Sequence, residues 1–335
     1  MKREDYINSS ATVRVLEKSL LRREQILRMA EAEDYDEFFR LLNETVYSEE
    51  ISKQQDKNNI DDVLDNALQN SYTAINKISE DKVIGLFNSL QYSYHNLKVL
   101  AKEYITGEDF SDMLWDMYDE LDIQQIRNEL SKSDLETKTN NRYSEVIRLA
   151  LKDYEENKDP QRVDMIIERA YYDHMKEIGN RSDSKILSQY VKDNIDHYNF
   201  KLVSRGHKQG KRIDFVDEFF IPGGNIKTDK FSQLYNEEIE DIVEGLKASP
   251  ISHYLELGLK NYEKTGRIAE FETALLDYRM DVVRGAKTVT YGPEVLFAYL
   301  VAKETEIANL RIISTAKSTN MPSKEIIGRL RETYV

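Results

Sequence analysis

The 335 residues contain no cysteine, which excludes disulfides, thiolate zinc sites, iron–sulfur clusters and a cysteine nucleophile, and nothing in the chain asks for an oxidising compartment. Proline and glycine are scarce as well, at 5 and 13 residues, well under the averages of ~5% and ~7%. Few tight turns are therefore available, and an all-α architecture of long helices is the expectation. Long apolar runs are missing too. The longest, 295–302, has eight residues, whereas a helix crossing a bilayer core takes about 20, so no transmembrane segment is expected. The charged start Met1-Lys2-Arg3-Glu4-Asp5 leads into no apolar stretch of a secretory signal, which points to a cytoplasmic protein. With no cysteine and with Lys2 in place of a second-position glycine, no lipidation box is present either. Basic residues are outnumbered 47 to 61, a formal net charge of -14. An extended phosphate backbone would meet a repulsive field over most of such a surface, so nucleic acid is not an expected partner.

What the chain does have is coherent helix punctuation. Asp159 suits an N-cap and Pro160 the first helical position, Val163, Ile166, Ile167 and Ala170 fall on one face, and Gly179 suits a C-terminal stop. The same signals place a helix over about 250–266, capped by Ser249, and another over about 293–318 opened by Pro293. The polar stretch 48–62 reads as a loop or exposed helix end between longer helical blocks. No sustained alternation of apolar and polar residues marks a strand pair.

Three segments share one spacing. Tyr94-His95-Asn96-Leu97-Lys98 is followed by Gly107, eleven residues after the asparagine; His197-Tyr198-Asn199-Phe200-Lys201 is followed by Gly210 at the same offset; Ile307-Ala308-Asn309-Leu310-Arg311 is followed by Asn320. Glycine or asparagine at that place suits a left-handed C-terminal cap, so each segment reads as a long helix with a matched end. Successive motifs stand roughly 105 residues apart, which implies three related helical units, at about 1–110, 111–215 and 216–335. Asparagine is an indifferent helix former, so Asn96, Asn199 and Asn309 have two readings: a buried amide bonding a neighbouring backbone, or a threefold set of contacts on a binding surface.

Several stretches occur in the order seen in one family: Tyr6-Ile7-Asn8-Ser9-Ser10-Ala11-Thr12-Val13-Arg14-Val15, Leu41-Leu42-Asn43-Glu44-Thr45-Val46-Tyr47, His95-Asn96-Leu97-Lys98, Phe219-Phe220-Ile221-Pro222-Gly223-Gly224, and the last long helix over 291–317. The chain resembles the C subunits of the V-type and archaeal A-type ATPases, counterparts of the eukaryotic d subunit. The resemblance spans essentially the whole chain. It implies an all-helical, funnel-shaped protein of three similar units around a pseudo-threefold axis, without catalytic role or cofactor, peripheral to the membrane through the complex. It also implies the partners: the rotor shaft made by the D and F subunits at the funnel's mouth, and the membrane proteolipid ring at its narrow end. The pattern is not strictly threefold, because the Pro-Gly-Gly run is clear only after the second motif and Asn320 stands where the other two have glycine.

Some stretches resemble other chemistry. Asp61-Asp62-Val63-Leu64-Asp65 has the spacing with which helical prenyl-diphosphate enzymes hold magnesium. It follows a polar stretch, where acids in a first helical turn complement the helix dipole, and no second acidic motif or diphosphate clamp accompanies it. Gly206-His207-Lys208-Gln209-Gly210-Lys211-Arg212 has three residues between its glycines instead of the four of a phosphate loop, and no Ser or Thr after the lysine. The five histidines show no compact ligand spacing. The stretch 201–212 nevertheless carries five Lys or Arg and no acid. Arg205, Lys208, Lys211 and Arg212 there either offset a helix C-terminus or contact an acidic partner or anionic lipid head groups. An unrelated helical-repeat scaffold binding other proteins is the alternative function.

Overall fold

Local signals place the helices, and the computed structural model describes residues 2–53, 60–79, 82–115, 121–131, 139–182 and 184–335. No strand occurs among them, in keeping with the all-α expectation. Nine helices carry the architecture: α1 (Ile7–Leu16), α2 (Ile60–Ile78), α3 (Val83–Thr106), α4 (Arg142–Asn157), α5 (Pro160–Arg181), α6 (Lys185–Lys208), α7 (Ser252–Thr265), α8 (Ala269–Arg284) and α9 (Pro293–Ser318).

Helix α5 starts as its sequence dictates, with the Asp159 carboxylate accepting from Gln161 N at 2.9 Å and Pro160 at the first position. Its end differs from expectation. It runs past Gly179 to Arg181, because Gly179 lies against Val191 of α6, where a Cβ would stand 2.8 Å from a Val191 methyl. The glycine permits a close helix–helix approach and does not terminate the helix. Helix α7 begins at Ser252, and Ser249 makes no capping bond; Gly266, at φ 66°, closes it as expected. Within the polar stretch 48–62, Ser48–Lys53 is helical and α2 begins at Ile60, while 54–59 lie outside the described residues. The matched endings of α3, α6 and α9 share one conformation: Gly107, Gly210 and Asn320 have φ of 73°, 64° and 55°. Beyond α6 and α9 the chain turns back with the bonds Lys211 N to Gly206 O and Met321 N to Ala316 O, which satisfy carbonyls that a helix end leaves unpaired.

The long helices meet in a cycle. Helix α2 packs on α3, α3 on α5, α5 on α6, α6 on α8, α8 on α9, and α9 returns to α2. Helix α9 also touches α3 and α6. An outer helix accompanies each successive pair: α1 lies on α2 and α9, α4 on α5 and α3, and α7 on α8. The apolar run 295–302 is buried throughout, as expected of a helix touched on several sides.

Two apolar cores result among the described residues. The larger draws on α1 to α6, the end of α8 and α9, and the smaller on the second half of α6, the segment 216–246, α7 and the start of α8. Helix α6 serves both, with Leu187, Val191 and Ile195 in the first and Phe200 and Val203 in the second.

Two buried titratable groups give the fold a composite response to acid. Burial pushes the Asp196 carboxyl from 3.8 up to about 6, against the hydrogen bonds it accepts from Ile226 and Asn225. Burial, with Arg142 adding, pulls His174 from 6.5 down to about 4. Asp196 therefore contributes stability that is complete below about pH 4 and lost as pH rises through 6. His174 contributes stability that is complete above pH 6.5 and lost as pH falls through 4. The two oppose each other over nearly the same window, each by about 3 kcal/mol. Urea unfolding at pH 7 and pH 4.5 should show His174→Gln gaining stability on acidification relative to the parent chain, and Asp196→Asn losing more than the parent does.

Candidate functional site

The repeated asparagines are the first residues that the fold explains. Asn96, Asn199 and Asn309 are each at most 1% exposed, and each side-chain amide forms a two-bond clasp on one residue of a later loop. Asn96 donates to Trp115 O and accepts from Trp115 N, both at 2.9 Å. Asn199 holds Ile221 in the same way at 2.8 and 2.9 Å, and Asn309 holds Arg331 at 3.1 and 2.8 Å. The amide presents one donor and one acceptor to a backbone that has no neighbouring strand or helix to pair with, so it takes the place of that neighbour. On α6 the clasp is doubled, because Asp196, one turn earlier, accepts from the backbone of Asn225 and Ile226 at 2.9 and 3.0 Å. Gly224 makes that approach possible, since a Cβ there would lie 2.1 Å from Asp196 Oδ1. The Pro222-Gly223-Gly224 run thus lets a loop lie flat against α6.

The basic stretch divides. Lys201, Arg205 and Lys211 join Lys98 of α3 in lining a cleft of about 290 Å³ with Asp164, Glu168 and Tyr198, whereas Lys208 and Arg212 stay outside it. Within this cleft Glu168 lies 3.6 Å from Lys98 and 3.7 Å from Lys201. Arg205 pairs with Glu272, Arg212 with Asp214 at 2.7 Å, and Lys211 stands over the Phe215 ring at 4.7 Å. Lys208 is exposed at the end of α6.

The acidic motif at the start of α2 faces an arginine. Asp65 and Asp61 both pair with Arg311 of α9, which also lies over the Trp115 ring at 5.0 Å. Their charge serves the contact that closes the cycle of helices. Among the described residues no group of three or more His, Asp or Glu side chains is arranged to hold a metal ion, and no helix is long and apolar enough to cross a membrane.

A feature that sequence reasoning missed lies where the helices of the cycle face one another. A cavity of about 310 Å³ takes lining residues from all six: Leu68 of α2, Gln91 and Tyr92 of α3, Tyr171 of α5, Tyr190 of α6, Arg279 of α8, and Glu304 and Arg311 of α9. Arg331, whose backbone Asn309 clasps, also lines it. Glu304 is surrounded by protein yet faces this space; it accepts from Gln91 Nε2 at 2.7 Å and from the hydroxyls of Tyr72 and Tyr92. Burial raises its carboxyl above the usual range, the three hydrogen bonds opposing. These residues are scattered over the six helices and a C-terminal segment, and no spacing in the sequence joins them.

Comparison with known proteins gives a consistent result. The family model described as ATP synthase (C/AC39) subunit matches residues 9–329. The chain is 22% identical over 330 residues to the C subunit of the V-type sodium ATPase of Enterococcus hirae, covering 98% of this chain and 99% of that protein. It is 24% identical over 329 residues to the C subunit of the A-type ATP synthase of Methanothermobacter thermautotrophicus, covering 92% and 83%, and 24% identical over 335 residues to that of Methanosphaera stadtmanae, covering 96% and 86%.

Proposed function

Because the chain belongs to the ATP synthase (C/AC39) subunit family, we propose that it is a non-catalytic central-stalk component of a rotary V/A-type ATPase, joining the shaft of D and F subunits to the membrane proteolipid ring. The observation that carries this reading is the cycle of six helices around a shared cavity, with α9 closing onto α2. A part that passes torque has to resist shear between its elements. Packed helices whose first and last members touch do so better than an open array with two free ends. The three units at 1–110, 111–215 and 216–335 would each supply one outer helix and one pair of the cycle. No bound nucleotide or metal is required for such a role.

Mixing the purified chain with the D and F subunits of the same complex at low salt should give a stable assembly on size-exclusion chromatography. A coupling of this kind buries upward of ~1,000 Å², and persistent failure to associate would remove the reading. An unrelated scaffold would instead show an extended envelope in solution scattering. The exposed end of α6 supplies a second test. If the basic stretch meets an acidic partner surface, Lys208→Glu combined with Lys211→Glu should weaken association and flatten its salt dependence, with helical circular dichroism unchanged. Unchanged binding would assign that stretch to solvent.

A further inference from the structure

We propose that the central cavity grips a carboxylate carried by an inserted partner chain, through the guanidinium groups of Arg279 and Arg331. This proposal rests on the coupling role proposed above and names the chemistry by which that site would recognise its partner.

In a chain of formal net charge -14, the charged residues lining this cavity are Arg279, Arg311, Arg331 and Glu304, a local excess of two positive charges. Arg311 is neutralised by Asp65 and Asp61. The other two arginines are not. Among the described residues Arg279 makes a side-chain hydrogen bond to Asn194 Oδ1 and no ion pair, and Arg331 makes neither an ion pair nor a side-chain hydrogen bond, although its backbone is held by Asn309. Glu304, the acid in this space, is already engaged by Tyr72, Gln91 and Tyr92 and bridges neither arginine.

Arginine is rarely withdrawn from water without a partner, since the desolvation of an unpaired charge is costly. Here burial, with the neighbouring charge of Arg279 adding and the carboxylates of Asp277 and Glu304 only partly opposing, lowers the Arg331 pKa below the usual arginine value. The direction indicates two cations that gain from an anion placed between them. A guanidinium fork matches a carboxylate bidentately, and such charge-assisted bonds are among the stronger ones in proteins. The space of about 310 Å³ holds a few side chains but not the full width of a helix, which is about 10–12 Å across. The group that enters is therefore a chain end or a protruding acidic side chain. A single negative charge suits the site, because a more highly charged anion would sit against Glu304.

The test uses the full chain and the D–F shaft of the same complex, with affinity measured by calorimetry or interferometry. Arg279→Gln combined with Arg331→Gln should weaken binding at least tenfold and reduce its salt dependence, while Glu304→Gln should strengthen binding several-fold by removing the like charge. The opposite signs guard against a trivial folding defect: if the double variant does not fold, Glu304→Gln alone decides, and unchanged or weaker binding by it overturns the proposal. Shaft binding by the parent chain with equal binding by the double variant also overturns the proposal and leaves the coupling role standing. Absence of shaft binding by the parent chain overturns both. A three-glycine extension of the shaft's C-terminus distinguishes the source of the carboxylate, abolishing the arginine-dependent part of the affinity if that group is the chain terminus and preserving it if it is a side chain.

Discussion

Glu306→Ala lowers the unfolding free energy by about 3–5 kcal/mol, the range expected when one member of a buried ion pair is removed. Glu306 and Lys303 lie one turn apart on α9, at 4% and 6% exposure. Lys303 Nζ donates to Glu306 Oε1 at 2.7 Å and to the Tyr47 hydroxyl at 3.0 Å, Tyr47 donates to the same carboxylate oxygen at 2.7 Å, and Leu21 N donates to the other oxygen. The ammonium also stands 4.4 Å from the centre of the Tyr47 ring. Every polar atom in the group has a partner, and removing the acid strands a cation where water does not reach. The effect belongs to the stranded charge and not to the worth of the pair. Lys303→Met combined with Glu306→Leu should therefore recover part of the loss, the remainder belonging to the Leu21 N–H and the Tyr47 hydroxyl, which lose their acceptor. Urea denaturation of the two variants checks this, and a double variant as unstable as the single one would show that the pair itself is the source of stability.

Asn199→Leu is expected to cost about 2–6 kcal/mol, because it leaves both the N–H and the C=O of Ile221 buried without partners, each worth about 1–3 kcal/mol. Leucine has as many side-chain heavy atoms as asparagine and is the better helix former, so neither a cavity nor lost propensity would account for such a loss. The same exchange at Asn96 should cost less. Both bonds at Ile221 are buried, whereas those at Trp115 are only partly so, and water can replace what the amide provided. Thermal melts of the two single variants establish the order. Equal and small effects would return the asparagines to the role of surface contacts.

The contrast between these residues shows what a sequence can disclose. Helix ends were legible where the signal is local: Asp159 before Pro160, and Gly107, Gly210 and Asn320 at one offset from their asparagines, act on their own few residues of backbone. Gly179 was misread because its function depends on Val191, which no local pattern announces. The loop residues held by the three asparagines were illegible for a different reason. The clasp uses only main-chain atoms, so it accepts a tryptophan, an isoleucine or an arginine equally well and leaves no shared letter behind. The cavity was hidden most completely. With 32% of the residues charged, Arg279, Glu304 and Arg331 resemble any solvated charge until the helices bring them to one space.

The closure of α9 onto α2 bears on how the protein is made. While the chain emerges from the ribosome, the apolar faces of α1 and α2 are exposed long before the segment that will cover them has been synthesised. The nascent polypeptide must therefore wait in a sticky, incomplete state, and local folding of each unit cannot relieve it. Translation products that stop short of residue 293 should accumulate in the insoluble fraction, whereas a circularly permuted gene that places α9 directly ahead of α1 should yield soluble protein with less help from chaperones.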